Sequence, residues 1–333
     1  MTGISLLDVA SYLPPNQVPL EYFANGDDTL RDSLMFRAPQ FRRHVAPDES
    51  AVDMIERAVQ PLIDRHGPDA IRDVDIVITH VQLPDLPFSG CGTEVLRRLG
   101  CRPEYLLDLH NGGCAAMLHA VKLARELMRT GGARSALVCV VQNSAGQVFA
   151  QPEVRGLPQA PIPGDGCGVA YLVASDESPV LDVECRHYGE AGGDMVIEAE
   201  GRKYWEAGES QLRVGFTEAK IAKVLERGNR IVPEVAQEVC RRIEVPSTEL
   251  DILITNQPNR TFLRNWREAL QLAPQRHLDT FGQYGNLFAA AMPITLDEAI
   301  SDGRVKPGSL VMLAGFAHAG DFAAAAAVRW QGR

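Results

Sequence analysis

The cysteine at position 114 has the local sequence of an activated nucleophile. Cys114 follows Asn111-Gly112-Gly113 and precedes a predicted helix that starts at Ala115. Two glycines allow a tight, unusual backbone between a strand and a helix. A thiol at a helix start lies at the positive end of the helix dipole, which favours the thiolate, and the free N–H groups there can bind an oxyanion. The motif therefore predicts covalent catalysis through sulfur.

A buried structural cysteine is the alternative interpretation of this motif. Cysteines are frequently small core residues. The chain contains seven of them, without any C-x-x-C pair, so neither a disulfide framework nor a zinc site is expected. They are Cys91, Cys101, Cys114, Cys139, Cys167, Cys185 and Cys240.

Apolar, β-branched segments alternate with helical patterns, which predicts an α/β fold with mostly parallel sheets. The segments are apolar on both faces, as in strands that are covered on both sides. The predicted strands are Asp75–Thr79, Ala136–Val141, Gly168–Val173, Asp251–Thr255 and Leu310–Ala314. The predicted helices are Ala115–Thr130, Ile221–Arg242 and Met292–Ser301.

The chain contains an internal duplication. The segment VDIVITHV (Val74–Val81) resembles LDILITNQ (Leu250–Gln257). About 30 residues later, each is followed by a glycine-containing turn and a helix of small residues, at Asn111–Ala124 and Gln283–Leu296. Two related halves are expected to pack about a pseudo-twofold axis, with the turns at Cys114 and Asn286 facing each other near the centre.

Composition limits the functional class. The 333 residues carry a net charge of −10, and such an acidic balance argues against nucleic-acid binding. No apolar segment is long enough for a membrane span, and the N-terminus lacks the pattern of a secretory signal. We therefore expect a cytoplasmic protein.

Five segments resemble the β-ketoacyl-acyl-carrier-protein synthase III group of the thiolase superfamily, and together they span nearly the whole chain. The last is the most specific, because the family motif G-N-T-S-A-A-S-x-P leads into a helix and the same D-G-R-x-K-P-G turn. The segments are SYLPPNQV (Ser11–Val18), FRAPQFRRHVAPDES (Phe36–Ser50), DLHNGGCAAML (108–118), PIPGDGCGVAYLVAS (161–175) and YGNLFAAAMPITLDEAISDGRVKPGSLVMLAGF (284–316).

This resemblance implies a five-layered α-β-α-β-α thiolase fold, a homodimer and ping-pong acyl transfer through a cysteine thioester. The halves are expected at residues 1–175 and 176–333, with the nucleophile in the first. Cys114 matches the family nucleophile, Asn286 the catalytic asparagine, and Arg37 an arginine that contacts coenzyme A. The resemblance implies an acyl-carrier-protein or CoA thioester as substrate, and no permanently bound cofactor.

One departure from the family is at Asn256. The family has a catalytic histidine in a H-Q-A-N motif, whereas this chain reads Asn256-Gln257-Pro258-Asn259. An amide donates a hydrogen bond but does not carry a proton near neutral pH. Decarboxylative condensation, in which that histidine stabilises the enolate, is therefore in question.

A second departure is in the loop that the family alignment places over Cys114. The family has G-G-G-F there, and this chain has Gly315-Phe316-Ala317-His318-Ala319-Gly320-Asp321. Cys114, His318 and Asp321 could form a nucleophile–base–orienter set. A hydrogen-bonded loop histidine and a turn or helix-cap aspartate are the alternatives. Two other histidines, His80 and His277, lie at strand ends without a visible partner.

We therefore expect a diverged, acyltransferase-type member of the group, acting in secondary metabolism. It would pass an acyl group from Cys114 to a hydroxyl or amine, with His318 as general base. The alternatives are a decarboxylative ketosynthase and a non-catalytic partner subunit. Apolar side chains expected near the pocket are Phe88, Phe149, Leu287 and Phe288, of which the last two would narrow the tunnel.

Overall fold

The computed structural model describes residues 3–23, 37–86, 89–192, 194, 196–198, 213–215 and 218–332. The strands are β1 Ser5–Tyr12, β2 Asn16–Pro19, β3 Phe41–His44, β4 Ile76–Val81, β5 Tyr105–Asp108, β6 Ser135–Gln142, β7 Gly166–Val173, β8 Val180–His187, β9 Val196–Glu198, β10 Arg213–Gly215, β11 Ile252–Thr255, β12 His277–Leu278, β13 Leu310–Ala317 and β14 Phe322–Arg329. The α-helices are α1 Ala51–His66, α2 Pro68–Arg72, α3 Gly92–Leu99, α4 Ala116–Thr130, α5 Pro152–Arg155, α6 Glu218–Arg242, α7 Arg260–Ala269, α8 Phe281–Tyr284 and α9 Ala291–Ser301.

Two five-stranded sheets share one topology. The first has the order β5-β4-β6-β7-β1 and the second has the order β12-β11-β13-β14-β8. In each sheet the first three strands are parallel and the last two are antiparallel to their neighbours. Strands β4 and β11, which carry the two similar sequence segments, therefore occupy the same place in their sheets.

Alternation along the strands produces the layers. Side chains of successive strand residues point to opposite faces. In β4, Ile76 and Ile78 pack in a central core with α4 and α9, whereas Val77 packs in an outer core with α1. In β13, Val311 belongs to the central core and Met312 to an outer core with α6 and α7. The result is five layers in the order α-β-α-β-α, which confirms the predicted fold class. The prediction of mostly parallel sheets is wrong, because two of the four strand pairings in each sheet are antiparallel.

The sequence located the central elements within a few residues. Each predicted strand and helix is present, with α4 starting at Ala116 rather than at Ala115 because a 3₁₀ turn over Gly113–Ala115 precedes it. Strands β1, β8 and β14 were not predicted as strands. Across the described residues, none of the helices combines the length and apolarity that a membrane crossing needs. A division of the chain between residues 175 and 176 stays a prediction.

Candidate active site

Cys114 lies in the turn that joins β5 to α4. Gly112 has φ +107° and Gly113 has φ +42°, in the left-handed region that glycine enters without strain. The N–H of Ala115 donates to the carbonyl of Gly112 at 2.8 Å and closes the 3₁₀ turn. Cys114 is partly exposed as a residue. The two glycines thus have the role that the sequence predicts for them, and they place the sulfur just ahead of the helix.

The pKa of Cys114 differs from the expectation of a favoured thiolate. The pKa of this thiol is raised to about 12, chiefly by desolvation and to a small extent by the negative charge of Asp321. A hydrogen bond with the Asn256 side chain and the N–H of Cys114 itself lower it by less. Cys114 is therefore a neutral thiol at pH 7, because the field at a helix start does not outweigh the loss of water. A base must remove its proton before it attacks a thioester.

His318 and Asp321 lie together on the loop between β13 and β14. His318 Nδ1 is 3.0 Å from both carboxylate oxygens of Asp321, and each side chain is about one-third exposed. Since a carboxylate accepts hydrogen bonds, Nδ1 carries the hydrogen and Nε2 presents a lone pair. This is the tautomer that a general base requires.

The loop brings His318 Nε2 to the nucleophile turn. A Cβ atom placed on Gly113 would be 3.0 Å from His318 Nε2 and 3.2 Å from Ala317 Cβ. Gly113 is the residue before Cys114, so the imidazole covers the turn that holds the thiol. A side chain at position 113 would displace the imidazole, which gives Gly113 a second purpose besides its backbone angle.

His318 has a strained backbone. Its φ is +48°, a conformation that side-chain-bearing residues adopt rarely and that costs of the order of 1 kcal/mol. The N–H of Gly320 donates to the carbonyl of Ala317 at 2.8 Å and closes the turn around it. Two groups outside the loop bond to its backbone. Arg227 Nη1 donates to the carbonyl of Ala319 at 2.8 Å, and the N–H of Tyr188 donates to the carbonyl of Asp321 at 2.7 Å. The surrounding structure therefore maintains a conformation that glycine would adopt more easily.

Asn256 lies at the end of β11 and is buried. Its Nδ2 donates to the carbonyl of Phe316 at 3.2 Å, and its Oδ1 accepts from the N–H of Phe316 at 3.3 Å. The side chain also hydrogen-bonds with Cys114. The hydrogen bonds of Asn256 thus connect the end of β11 to β13 and to the nucleophile.

Asn286 lies in the second glycine-containing turn, which packs against the turn of Cys114 as the duplication predicts. Its backbone N–H donates to the carbonyl of Ile162 at 2.8 Å, and its side-chain oxygen accepts from the N–H of Phe288 at 3.1 Å. Leu287 is fully buried and Phe288 is half-buried with φ +46°. These two side chains fill space beside the nucleophile turn.

The remaining predicted site residues lie at the periphery. Arg37 is exposed, and its contact with coenzyme A stays a prediction. Phe149 packs in a small core with Val18 and Phe23, whereas Phe88 lies outside the described residues. Among the described residues, no group of three or more His, Cys, Asp or Glu side chains is arranged to hold a metal ion.

His80, which the sequence analysis left without a partner, is buried near the end of β4. It is the last residue but one of this strand, and the strand alternation puts it on the same face as Ile76 and Ile78, which pack in the central core. His80 Nδ1 is 2.8 Å from the carbonyl of Leu109, so Nδ1 carries the hydrogen and Nε2 has the lone pair. Within the described part of the chain, that buried Nε2 has no hydrogen-bond partner.

The charge state of His80 follows from its surroundings. Its pKa is lowered to about 4, chiefly by desolvation and to a smaller extent by the nearby imidazoles of His318 and His110, whereas the bond to Leu109 raises it. The ring is therefore neutral at pH 7. In the duplication, THV aligns with TNQ, so His80 corresponds to Asn256.

Two family models match the chain. The model described as 3-oxoacyl-[acyl-carrier-protein (ACP)] synthase III matches residues 107–189, and the model of the C-terminal part of that family matches residues 240–330. The first match contains Cys114, and the second contains Asn256, Asn286, His318 and Asp321. All the predicted catalytic residues thus fall within matched segments.

Similar proteins cover the chain from end to end. The β-ketoacyl-[acyl-carrier-protein] synthase III of Thermosynechococcus vestitus is 30% identical over 99% of this chain and 99% of its own length. The protein of the same name from a Synechococcus species is 28% identical over 99% and 97%. The solved structure of the Thermus thermophilus synthase III is 24% identical, covers 99% of this chain and 100% of its own, and superposes with a TM-score of 0.85.

Proposed function

Because the chain belongs to the 3-oxoacyl-[acyl-carrier-protein] synthase III family of thiolase-fold enzymes, which perform acyl transfer and condensation, we propose that it is an acyltransferase. An acyl group from an acyl-carrier-protein or CoA thioester is loaded onto Cys114. It is then transferred to a hydroxyl or amine acceptor. The observation that carries this proposal is the His318–Asp321 pair, in which His318 Nε2 lies beside Gly113.

Loading begins with the neutral thiol. His318 Nε2 takes the proton of Cys114, and the resulting thiolate attacks the carbonyl carbon of the donor thioester. Asp321 keeps the hydrogen on Nδ1 and stabilises the imidazolium that forms. The proton then passes to the departing pantetheine thiol. The raised pKa of Cys114 supports this order, because a thiol with a pKa of about 12 needs a base.

Transfer uses the same base in the second half-reaction. His318 accepts the proton of the incoming hydroxyl or amine as it attacks the Cys114 thioester. Asn256, which hydrogen-bonds with Cys114, and Asn286 are the proposed polar groups around the reacting carbonyl. The exposed Arg37 is the proposed contact for the donor's CoA.

Acyl transfer is favoured over decarboxylative condensation because of Asn256. Both polar atoms of its amide bond to the backbone of Phe316, and an amide does not relay a proton at neutral pH. The contact between Asn256 and Cys114 is what supports condensation as the second candidate, since an amide donor can still polarise a carbonyl. Carbon dioxide release distinguishes the two reactions.

The test has two arms. In the first, the protein is incubated with a panel of acyl-CoA and acyl-carrier thioesters, and the mass of the Cys114 peptide is read; wild type gains an acyl group and Cys114→Ala does not. In the second, malonyl-carrier is added to the acylated enzyme and carbon dioxide is measured. Acylation without carbon dioxide supports the acyltransferase, and chain extension with carbon dioxide release contradicts it.

Two further properties belong to the proposal. We place the reaction in secondary metabolism, since the histidine that the family uses for condensation is absent, and we expect deletion of the gene to leave growth unaffected. We also infer a homodimer, as the family resemblance implies. The edge strand β5, with Leu106 36% exposed, is the support for it, because an open strand edge is a site for pairing. Light scattering at micromolar concentration tests the mass.

A further inference from the structure

The turn that carries His318 has a backbone conformation that a histidine does not favour. The N–H of Gly320 donates to the carbonyl of Ala317 at 2.8 Å, so His318 is the second residue of a four-residue turn, with φ +48°. A positive φ at this position of a hairpin turn is the reason that glycine is preferred there. Because the imidazole is attached to this backbone, a change in φ would move Nε2 away from Gly113. Bonds from outside the turn must therefore hold it in place.

Arg227, on α6, makes such a bond with its side chain. Its Nη1 donates to the carbonyl of Ala319, the residue after His318, at 2.8 Å. Hydrogen bonds from charged donors are roughly twice as strong as those between neutral groups. Arg227 Nη2 donates to Asp194 Oδ2 at 2.8 Å, and the two side chains are 16% and 17% exposed. Since Asp194 balances the charge of Arg227, we expect Arg227 to act on the turn through the direction of its hydrogen bond.

Close packing keeps Arg227 against the turn. A Cβ atom placed on Gly320 would be 2.8 Å from Arg227 Cδ, so the glycine leaves room for the arginine stem to cross the turn. A Cβ atom placed on Gly228, the next residue of α6, would be 3.2 Å from the ring of Phe316, near the end of β13. Trp266 Nε1 donates to the carbonyl of Gly228 at 2.8 Å. The backbone of α6 beside Arg227 is therefore fixed relative to the strand that leads to His318.

We propose that Arg227 is a positioning residue for the general base, because it holds the His318 turn in the conformation that places Nε2 beside Gly113. The inference rests on the proposed acyltransferase function and extends it to a helix that does not carry the reacting groups. The proton still moves from the Cys114 sulfur to His318 Nε2, and Arg227 neither gives nor takes one. Its contribution is the fraction of molecules in which the base is in place.

The experiment measures the acylation of Cys114 in single turnovers. The protein is mixed with an acyl-CoA at several concentrations, and the mass of the Cys114 peptide is followed in time. Arg227→Met keeps an unbranched stem beside Gly320 and removes both hydrogen bonds. We expect its rate constant at saturating donor to fall about tenfold, the value of one hydrogen bond from a charged group, and its half-saturating concentration to stay within about twofold. Arg227→Lys keeps a charged donor, so its rate constant should lie between those of Arg227→Met and wild type.

Arg230→Met is the matched control. Arg230 lies one turn further along α6 and pairs at 3.0 Å with Glu234 on the surface of the helix. Exposed pairs of this kind contribute little, so the acylation rate of this variant should stay within about twofold of wild type. Urea unfolding checks that each variant is folded at the assay temperature. If Arg227→Met does not fold, Arg227→Gln replaces it, because glutamine is too short to reach the carbonyl of Ala319.

A double-mutant cycle with His318→Ala separates positioning from general support of the structure. In the His318→Ala background, Arg227→Met should change the acylation rate by less than about twofold, because the group that it positions is absent. A residue that only stabilises the fold or the donor site would slow both backgrounds by the same factor.

The outcomes separate this inference from the proposed function. A wild-type protein that never acylates Cys114 contradicts the acyltransferase itself. If wild type acylates Cys114 and Arg227→Met keeps the wild-type rate, only the positioning role is contradicted. Equal slowing by Arg227→Met with and without the His318 imidazole contradicts that role as well. A loss of about tenfold that disappears in the His318→Ala background, with Arg230→Met unchanged, supports it.

Discussion

The two glycine-containing turns at the centre of the molecule have the same place in the fold and opposite properties. The turn of Cys114 uses two consecutive glycines at positive φ and leaves the cysteine partly exposed, next to an imidazole. The turn of Asn286 has one glycine before it, is bonded through its backbone to Ile162, and encloses a fully buried Leu287. Duplication has thus supplied one turn that presents a reactive group and one that forms the wall beside it.

The largest expected difference between the two turns is in catalysis, because removal of the Cys114 sulfur should abolish most of the activity. Cys114→Ala is expected to lower acyl transfer by on the order of a thousandfold or more, because the covalent route is lost. Turnover with the best acyl thioester is the measurement, and circular dichroism checks the fold. Full turnover in this variant would mean that neither turn carries the nucleophile.

Loss of the His318 imidazole should cause the second largest decrease in activity. His318→Ala is expected to slow acylation of Cys114 by about 10²–10⁴-fold, the usual contribution of a general base, because the thiol pKa is raised to about 12. Asp321→Asn should lose less, since the imidazole remains in place. Single-turnover acylation rates give both values. Equal rates in wild type and His318→Ala would show that the thiol ionises without this base.

The turn of Asn286, which packs beside the nucleophile turn, should contribute to the free energy of unfolding. Leu287→Ala is expected to lower the free energy of unfolding by about 2–5 kcal/mol, as for other fully buried leucines. The matched control is Leu86→Ala, whose side chain is 62% exposed and whose loss should cost within about 0.5 kcal/mol. Urea unfolding measures both. A neutral Leu287→Ala would contradict the assignment of this turn as a packed wall.

Acidification should destabilise both halves through their buried histidines. Desolvation lowers the pKa of His44, His80 and His277 to about 4, against 6.5 in the unfolded chain. The unfolded state therefore binds more protons between pH 6.5 and 4, and stability falls as the pH is lowered through that window. Each of these histidines should lower the free energy of unfolding by roughly 1–2 kcal/mol at pH 5 relative to pH 7.

The same urea titration at pH 7 and pH 5 checks this. His277→Phe should lessen the loss on acidification, because a phenylalanine does not titrate. A loss as large as in wild type would assign the acid sensitivity to other groups. Wild-type protein that is equally stable at both values would contradict the lowered pKa of all three histidines.

The sequence was sufficient for the elements that obey a periodic pattern. The apolar, β-branched segment at β4 and its copy at β11 gave both the strands and the duplication, and Gly112-Gly113 located the nucleophile turn. It was insufficient for β14, where the segment FAAAAAVR forms a buried strand between β13 and β8 although alanine favours helices. There, pairing and burial outweigh intrinsic propensity, which no local pattern records.

The site shows the same division. The identities of Cys114, His318 and Asp321 are visible in the sequence, and the short spacing of His318 and Asp321 made their contact predictable. The pKa of the thiol was not, because it depends on how much water the assembled layers exclude. The partner of His80 was not predictable, because the carbonyl of Leu109 is a backbone atom 29 residues away.

The hydrogen bond from Arg227 to the His318 loop connects the position of the imidazole to an outer layer of the molecule. Arg227 belongs to α6, in an outer layer, and its guanidinium both holds the carbonyl of Ala319 and pairs with Asp194 at 2.8 Å. A side chain in an outer layer thus helps to hold the loop that carries the imidazole. Selection for activity should consequently reach into that outer helix, and a screen for altered turnover would find substitutions there that no map of direct contacts with the acyl group would suggest.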